Sequence, residues 1–585
     1  MPNLPPHPLH AWQGRAQWRL LLTQWEQGSA FLAAWTAWLV DAQRSAMLHV
    51  TAVVNTPIDT AALAALAPPN TLPQARALSA ALYGLLPGVH RLSFEDGKVT
   101  LTLWVGSLAD MLRQQHSHAD AISLLGPFDS DAHSAKTLAR HCQRGTVLIA
   151  PHLAVDVQQA LTQAGFVFAP TKATAAPHAV FAPHWEPRQR SAQLAPVAQA
   201  GTALVIGAGL AGAAIARSLA LRGWHVTVLA RGDTPADGAS GLPAGLFCPH
   251  ISPDDSVLSR LSRCGARMTL QRLRDVCHEG QDWAFTGVLE RALEGDNALP
   301  AACASTEGAD WSQPAPPDTL QAAGLPPDAA GYWHAQAGWV RPAQWVRAQL
   351  THSRIDFVGG CTVAQVQAHA DGGWNACDAQ GHVLAHADIA IVAGGAGSAA
   401  LLPQQAQWPL QPVRGQVTWG LHAPEASAAL PPIPVNGNGN LVPHVPTPQG
   451  TLWVMGSTFE RDIATLPPTH TEQTAAHAVN QGKLAALLPH TADALAPWFT
   501  PDDARCQATW AQVRCTSPDR LPIAGPVHPE LPGLWALTAL GARGLTLSVL
   551  CGELIAAQLH GEPLPLDAKL ASHLGTPRLA RYMPS

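Results

Sequence analysis

The stretch Ala203-Leu-Val-Ile-Gly-Ala-Gly-Leu-Ala-Gly-Ala-Ala-Ile-Ala-Arg217 decides the fold of the larger part of this chain. It reads as an apolar strand, a glycine turn and the start of a helix, and the strand His225-Val-Thr-Val-Leu229 follows at βαβ spacing. The first glycine of such a turn permits a tight bend, the second lets the backbone approach a pyrophosphate, and the third lets helix and strand pack closely. The helix N-terminus offers N–H groups to the phosphates. We therefore predict a dinucleotide site at Gly207, Gly209 and Gly212.

One part of the dinucleotide fingerprint is missing. An acidic residue at the end of the second strand usually holds a ribose hydroxyl, but this chain has Ala230 there, followed by Arg231. The nearest acid is Asp233. Either Asp233 reaches back or the ribose is held differently. The motif alone does not separate FAD from NAD, and Arg231 would even fit NADP.

Composition bounds the class of protein. The chain has 585 residues, 47% of them apolar and 13% charged, which is enough for about two to four domains with substantial cores. The net charge of −6 predicts no general nucleic-acid-binding surface, so RNA contact would need a local basic patch. Ten scattered cysteines without a C-x-x-C pair indicate a reducing, cytoplasmic location. We expect neither a signal peptide nor a membrane span, and the histidine spacing predicts no metal site.

The domain plan follows from three shifts in the pattern. Strand candidates at 99–105, 121–125 and 145–150 and a helical pattern at 153–165 predict an α/β domain over 1–170. Residues 171–200 are rich in Pro and Ala and read as a linker. Residues 201–585 then form one region. We predict nucleotide-binding segments at about 201–290, 340–410 and 511–570, with a β-rich substrate segment at about 411–510.

Two further strand–glycine junctions occur downstream. Ala387-Asp-Ile-Ala-Ile-Val-Ala393 runs into Gly394 and Gly395, and the strand beginning at Leu534 runs into Gly541-Ala-Arg-Gly544 and a helix. Three such junctions in this order resemble the glycine oxidase/D-amino-acid oxidase family of FAD enzymes. Further likeness lies in Gly238-Ala-Ser-Gly241 with Gly245, in Gly338-Trp-Val-Arg-Pro342, and in Trp510-Ala-Gln-Val-Arg514 followed by Pro518-Asp-Arg-Leu-Pro-Ile-Ala-Gly525.

This resemblance covers about residues 201–560 and implies FAD, extended across the nucleotide domain, as the cofactor. The positions that it assigns to FAD are Gly207, Ala208, Gly209, Leu210, Ala211, Gly212, Arg231, Asp233, Ser240, Gly241, Gly245, Gly394, Gly395, Gly541, Arg543, Gly544, Leu545 and Thr546. Cys248 follows the flavin-side segment, and we interpret it as a buried, inert thiol rather than a redox group.

A narrower resemblance points to tRNA. Pro412-Val-Arg-Gly-Gln416, Gly456-Ser-Thr-Phe459 and Gly544-Leu-Thr546 look like the oxidoreductase half of the MnmC family, whose members join a methyltransferase to an FAD oxidoreductase. Residues 90–104 resemble its methyltransferase half. The implied fold is a Rossmann-like methyltransferase domain followed by an FAD domain with an inserted β-rich domain. The implied partner is tRNA with a modified wobble uridine, and no membrane partner is expected.

The methyltransferase half departs from the family where S-adenosylmethionine (SAM) should bind. The family has an acid before a G-x-G-x-G turn, whereas this chain has Leu22-Thr-Gln-Trp-Glu-Gln-Gly28, in which Leu22 replaces the acid and Gly28 is the one glycine retained. Leu125 stands where the family places an aspartate. Side chains in such a turn keep the backbone away from a ligand. We therefore expect a degenerate methyltransferase fold, with SAM a cofactor only if this half is active.

The resemblance implies oxidation of the carboxymethylaminomethyl group of the wobble uridine to an imine, which water hydrolyses to glyoxylate and the aminomethyl nucleoside. The substrate carboxylate needs a fixed cation, and arginine grips it with two hydrogen bonds. Arg514 is the first candidate because it matches the carboxylate-binding arginine of glycine-oxidase-like enzymes. Arg414 and Arg543 are the next candidates.

Three other functions remain open from the sequence. The chain could be a bifunctional enzyme that also methylates the aminomethyl nucleoside. It could be a small-molecule amine or amino-acid oxidase, because fold does not fix substrate. It could also be a non-catalytic tRNA-binding protein, as the eroded first half and the missing acid at Ala230 would allow.

Overall fold

A computed structural model describes residues 10–582 apart from 61–62, 64–70, 170–177, 187–195, 294–297, 404–405, 501–502, 504 and 506–509. The chain divides into two compact units. The first comprises Met1–Ala200 with Ala556–Ala571, and the second comprises Gly201–Ile555 with Ser572–Ser585. The sequence placed 556–570 in the nucleotide region, so this return of the chain to the first unit is a difference from the prediction.

The first unit is built on one eight-stranded sheet in the order β3-β4-β2-β1-β5-β6-β8-β7. The strands are β1 Gln17–Leu22, β2 Met47–Val54, β3 Gly88–Phe94, β4 Val99–Val105, β5 Ala119–Ser123, β6 Cys142–Ile149, β7 Phe166–Phe168 and β8 His178–Phe181. Its α-helices are Ser29–Val40, Leu72–Ala81, Leu108–Gln114, Ala132–Ala139 and Val155–Gln163. The five strands from β4 to β6 in this order run parallel, as alternating strands and helices predict.

The predicted strands at 99–105, 121–125 and 145–150 and the helix at 153–165 are confirmed to within a few residues. The interpretation of 171–200 as a linker is wrong for His178–Phe181, which form β8 between β6 and β7. Ala179 and Phe181 are buried in the core of this unit, and that burial holds the strand in the sheet. Residues 171–177 and 187–195 of the predicted linker lie outside the described part of the chain.

The described residues of the second unit form four sheets. Its strands are β9 Thr202–Ile206, β10 His225–Leu229, β11 Gly245–Phe247, β12 Trp283–Ala284, β13 Val288–Arg291, β14 Gln313–Pro314, β15 Gly331–His334, β16 Gly338–Val340, β17 Ile355–Val358, β18 Gln365–Ala368, β19 Trp374–Cys377, β20 Val383–Ala387, β21 Ile389–Val392, β22 Gln411–Leu421, β23 Val435–Gly437, β24 Gly439–Thr447, β25 Gly450–Gly456, β26 Glu460–Arg461, β27 Trp510–Thr516, β28 Ile523–Pro526 and β29 Leu534–Thr538. The α-helices from residue 210 onward are Leu210–Leu221, Val257–Val276, Thr306–Ala309, Pro317–Ala322, Pro342–Leu350, Ser398–Leu401, Pro424–Ala429, His470–Leu487, Pro489–Ala494, Gly544–His560 and Ala568–Ser572. The last two include residues 556–560 and 568–571, which belong to the first unit.

The nucleotide sheet has the order β17-β10-β9-β21-β29-β28, and its first five strands are parallel. Strands β9, β21 and β29 are therefore neighbours whose carboxyl ends lie at one edge of the sheet. Each of them is followed by one of the three glycine junctions. The fold class predicted from the sequence, α/β with a Rossmann-like FAD domain, is confirmed.

The substrate sheet has nine strands, β13–β15 and β22–β27. It takes strands from both sides of the predicted 411–510 segment, because β13 pairs with β23 and β27 pairs with β22 along seven residues. The predicted nucleotide segments had included β13 and most of β27. Pairing between strands so far apart in the chain is set by tertiary packing, which the local pattern does not contain.

A buried ion cluster fixes the nucleotide helix Leu210–Leu221 to its neighbours. Glu553 accepts hydrogen bonds from Ser218 (2.6 Å), Arg222 (2.8 Å) and Arg272 (3.0 Å), and both arginines are more than 90% buried. Burial alone would raise the pKa of Glu553, but the two guanidinium groups lower it far below its ordinary value. Three helices thus meet at a single carboxylate.

We expect Glu553→Gln to lower the free energy of unfolding at pH 7 by about 3–5 kcal/mol, because two buried arginines lose their counter-ion. A carboxylate whose pKa is lowered on folding stabilises the protein above its unfolded pKa, about 4.3, and loses that contribution as the pH falls toward the folded pKa. The difference between wild type and variant should therefore shrink below about pH 4 in urea unfolding. Asp503→Asn, which breaks an exposed pair with Arg505, should change little, and an equally stable Glu553→Gln protein would contradict the expectation.

Among the residues that the structure describes, no helix is long and apolar enough to cross a membrane.

Candidate functional site

The first glycine junction is shaped for close approach of a phosphate. Gly207 has φ +117°, a conformation that L side chains rarely adopt, and a Cβ there would come within 2.5 Å of the Ala393 carbonyl oxygen. A Cβ on Gly212 would overlap the carbonyl oxygen of Gly207, so the helix can begin against the strand only with glycine at 212. Gly209 is the N-cap residue of the helix Leu210–Leu221 and brings no side chain to the turn. The cradle fits a pyrophosphate.

The three junctions touch one another at the edge of the nucleotide sheet. Gly207 lies against Ala393 and Gly394 of the second junction. Gly544 of the third junction packs against Leu210, since a Cβ on Gly544 would lie 3.0 Å from Leu210 Cδ1. The chain also bends through positive φ at Gly395 (+58°) and Gly541 (+57°). The structure thus brings all three predicted crossings into one continuous surface.

The segment Ala239–Gly245 closes this surface from the side. Ser240 Oγ accepts a hydrogen bond from the Leu210 backbone N–H (3.0 Å). This N–H is one of the helix N-terminal groups that we predicted to bind the phosphates, and here it is paired with the serine. A Cβ on Gly245 would lie 2.7 Å from Leu545 Cδ1, and Gly241 lies beside Trp510. Four other positions predicted to bind FAD, Ala208, Ala211, Leu545 and Thr546, are buried at these junctions.

The ribose-side residues lie at the carboxyl end of β10. Arg231 and Asp233 are both exposed. Asp233 lies against the Gly359–Gly360 turn that follows β17, where a Cβ on Gly360 would be 3.2 Å from its Oδ1. Ala230 occupies the end of β10, where an acidic residue usually binds the ribose. Binding of the ribose by Asp233 or Arg231 therefore stays a prediction.

Arg514 lies in β27, which borders two of the junctions. The neighbouring Cys515 accepts a hydrogen bond from the Gly541 N–H (2.8 Å) through its carbonyl. The Arg514 guanidinium donates to Ser457 Oγ (2.8 Å) and to the Thr458 carbonyl (2.6 Å), while its Nε is buried without a hydrogen-bond partner among the described residues. Burial lowers the pKa of Arg514 to about 10, so the side chain is charged at neutral pH. A partly buried cation with an unused, buried donor can bind an anion.

The interpretation of Arg414 as a substrate-binding group is wrong. Arg414 is paired with Val513, one position from Arg514 in the register of β22 and β27, and therefore lies on the opposite face of the sheet. It is 1% exposed and donates to Glu460 (2.5 Å), Glu472 (2.6 Å) and the Thr465 carbonyl (3.1 Å). The two carboxylates occupy its guanidinium, so Arg414 has a structural role.

Arg543 lies at the third junction, between Gly541 and the helix that starts at Gly544. Burial and the nearby Arg520 lower its pKa. The pKa of His250 is lowered mainly by burial and also by the charge of Arg543. Arg543 is therefore close to the segment that follows β11. Arg543 therefore stays a candidate for contact with an anionic group at the nucleotide edge.

The structure adds two side chains that the sequence did not single out as site residues. Phe459 is 57% exposed, and its ring lies 4.2 Å from the Arg514 guanidinium carbon. Lys483 lies 5.4 Å from the same ring and donates to the Ser457 carbonyl (2.7 Å). The exposed ring of Phe459 thus lies beside two cations. The sequence signal for Phe459 was its place in the Gly456–Phe459 motif, whereas Lys483 comes from a distant helix and gave none.

The first unit has its own expected ligand crevice, where the strand order reverses between β1 and β5. Here that crevice is occupied by protein. Trp25 is 2% exposed and its ring lies against Gly28, and the Gln24 side chain covers Gly126. Thr23 Oγ1 also exchanges 2.7 Å hydrogen bonds with the backbone of Leu125, which joins the two strand ends. These residues do not fit SAM.

Comparison with known proteins agrees with this geometry. The family model described as DAO, FAD dependent oxidoreductase, matches residues 202–558. The tRNA 5-methylaminomethyl-2-thiouridine biosynthesis bifunctional proteins MnmC of Delftia acidovorans and Paracidovorax citrulli are each 49% identical to this chain, covering 98% and 97% of it and 93% of each relative.

Two solved structures share the fold. Glycine oxidase from Bacillus cereus has a TM-score of 0.50 at 21% identity, covering 62% of this chain and 95% of its own. L-proline dehydrogenase from P. horikoshii has a TM-score of 0.51 at 16% identity, covering 66% and 100%.

Proposed function

The chain belongs to the MnmC family and, over residues 202–558, to the DAO family of FAD-dependent oxidoreductases, and from this we propose that it removes the carboxymethyl group of 5-carboxymethylaminomethyl-2-thiouridine at the tRNA wobble position. The observation that carries the proposal is the partly buried, charged Arg514, whose Nε has no hydrogen-bond partner among the described residues. The products are the aminomethyl nucleoside and glyoxylate.

Arg514 holds the substrate carboxylate. A guanidinium that already has two neutral acceptors, Ser457 and Thr458, keeps its full charge for an incoming anion. This contact fixes the CH₂ between carboxylate and amine beside the nucleotide edge. Positioning of this kind, together with electrostatics, is what a protein contributes to flavin chemistry.

The glycine junctions would hold FAD, and FAD when bound would supply the acceptor for the hydride of that CH₂. The amine nitrogen loses a proton, and the C–N bond becomes an imine. Water then adds to the imine carbon, the C–N bond breaks, and the oxygen of water becomes the aldehyde oxygen of glyoxylate. No basic side chain is needed if the amine arrives neutral, because water can take the proton that the nitrogen releases.

Phe459 supports a nucleoside as the substrate. Its exposed ring, 4.2 Å from Arg514, is placed to stack a base while the arginine holds the carboxylate. Lys483 adds a cation on the same side, which suits a nearby phosphate. A small amino acid would gain nothing from either side chain.

The test is an assay of the purified protein on tRNA carrying the carboxymethylaminomethyl group, in parallel with free glycine and sarcosine. We expect a yellow, FAD-containing protein that releases glyoxylate from the tRNA and little from the free amino acids. Faster turnover of the free amino acids would favour a small-molecule oxidase. A colourless protein that binds the tRNA and does not take up FAD would favour a binding protein.

The first unit, we propose, has lost methyl transfer. Leu22 and Leu125 replace the family's acids, and Trp25 and Gln24 fill the crevice. Labelled SAM with aminomethyl-tRNA should give no methylated nucleoside above background, with a SAM-dependent tRNA methyltransferase as positive control. Saturable SAM binding with methyl transfer would overturn this proposal and restore the bifunctional alternative.

Location in the cytoplasm belongs to the same proposal. The nine cysteines in the described part of the chain are free thiols, several of them buried, as in proteins of reducing compartments.

A further inference from the structure

Three side chains of different chemistry converge in the second unit, outside the contacts used above. The Sγ of Cys248, a carboxylate oxygen of Glu290 and a ring nitrogen of His334 all lie within 4.8 Å of one another. We propose that these three residues bind a divalent transition-metal ion of the zinc type. This goes beyond the oxidation chemistry proposed above.

Strand register brings the ligands together. Val288 pairs with His334 and Glu290 pairs with Tyr332 between the antiparallel strands β13 and β15, so Glu290 and His334 are diagonal neighbours on one face. Cys248 reaches them from the segment after β11. Successive ligands are more than 40 residues apart in the chain, so no local motif in the sequence indicated this site.

The separation between His334 and Glu290 fits a metal centre. His334 is fully buried, and its Nε2 lies 3.3 Å from Glu290 Oε2, yet Nε2 has no hydrogen bond within the described residues. Two ligands with metal–N and metal–O bonds of about 2.0–2.2 Å are separated by roughly 3.3 Å in a tetrahedron. The orphaned Nε2 is therefore aimed at the position where an ion shared with Glu290 would lie.

His334 and Glu290 are each oriented by a hydrogen bond to another residue. Ser312 Oγ lies 2.9 Å from His334 Nδ1, which leaves Nε2 to bind a metal if the ring proton is on Nδ1. Asn436 donates to Glu290 Oε2 (2.7 Å) from β23, which pairs with β13 at that residue. Outer contacts of this kind are the usual support of a metal ligand.

The donor set selects the metal. One sulfur, one imidazole nitrogen and one carboxylate oxygen favour Zn²⁺ or Co²⁺ over Mg²⁺ or Ca²⁺, which prefer oxygen alone. A thiolate and a carboxylate also balance the charge of a divalent ion in this buried place. A water molecule completes four-fold coordination. The ion would join the segment after β11 to the substrate sheet.

The experiment uses the purified full-length protein, stripped with a chelator and titrated with Co²⁺. Tetrahedral Co²⁺ with a thiolate ligand gives d–d bands to the red of flavin absorption together with a sulfur-to-cobalt charge-transfer band. We expect one Co²⁺ per chain, displaced by Zn²⁺. Cys248→Ser should remove the charge-transfer band, and Asn436→Ala should weaken binding about 10- to 100-fold without touching a ligand.

Cys361→Ser is the matched control, because Cys361 is another half-buried free thiol of the same unit, and it should bind Co²⁺ like the wild type. Thermal unfolding shows whether each variant is folded. If Cys248→Ser does not fold, the weaker Co²⁺ binding expected of Asn436→Ala still tests the site. Absence of saturable Co²⁺ binding, or a Cys248→Ser spectrum identical to that of the wild type, would overturn the site.

Discussion

Arg514→Ala is expected to lower kcat/KM for the modified tRNA by roughly 30- to 1000-fold, which corresponds to about 2–4 kcal/mol for loss of one partner of a buried charge pair. Most of the loss should be a higher KM if the carboxylate contact is the same in the ground and transition states. FAD content should not change, since the Arg514 guanidinium donates to Ser457 and Thr458, which follow β25, and neither belongs to a glycine junction. Initial rates of glyoxylate release measure the effect.

Two variants show that the effect comes from carboxylate recognition. Arg514→Lys should recover part of the activity, because it keeps the charge but loses the two-pronged geometry. Small carboxylates such as acetate should inhibit the wild type competitively and lose that effect in Arg514→Ala. Arg414→Met should lower the unfolding temperature while leaving KM unchanged. Arg414 lies on the face of the sheet opposite to Arg514, where it donates hydrogen bonds to Glu460 and Glu472. Wild-type kinetics in Arg514→Ala would remove this residue from the site.

Gly212→Ala is expected to abolish retention of FAD during purification. The added methyl group would overlap the carbonyl oxygen of Gly207, so the helix Leu210–Leu221 must move away from the phosphate turn. The visible flavin spectrum and the protein-bound FAD after gel filtration are the measurements.

Gly482→Ala is the matched control for this substitution. Gly482 lies in the helix His470–Leu487, and a Cβ there meets nothing within 4 Å. This variant should keep FAD and gain about 0.5–1 kcal/mol of stability, because alanine is the better helix residue. A yellow Gly212→Ala protein with normal FAD affinity would show that the turn does not need its third glycine.

The nucleotide fold could be predicted because its information is local. Each glycine junction is a strand, a turn and a helix start within about 15 residues, and the residue types in the turn are set by backbone conformation. Gly207 illustrates this, since its positive φ belongs to the turn that the sequence shows.

The site side chains were harder to predict because they depend on register. The family resemblance ranked Arg514 above Arg414, but both are arginines in β-prone stretches, and the residues around them do not show which face of the sheet each occupies. The pairing of β22 with β27 decides this, because a shift of one residue exchanges the two faces. Lys483 and the Cys248–Glu290–His334 cluster likewise depend on contacts between distant strands and helices, which local spacing does not record.

The order of strands in the nucleotide sheet has a consequence for biosynthesis. Ala203 of the central strand β9 pairs with Ile389, and β21 in turn pairs with β29 at Leu534. At about 5–20 residues per second, a ribosome needs tens of seconds to pass from the first of these strands to the last. Throughout that interval a nascent chain exposes an apolar strand edge without its neighbour. Flavin capture is therefore a late event, and a message truncated before β29 yields a product with no complete cradle for the dinucleotide.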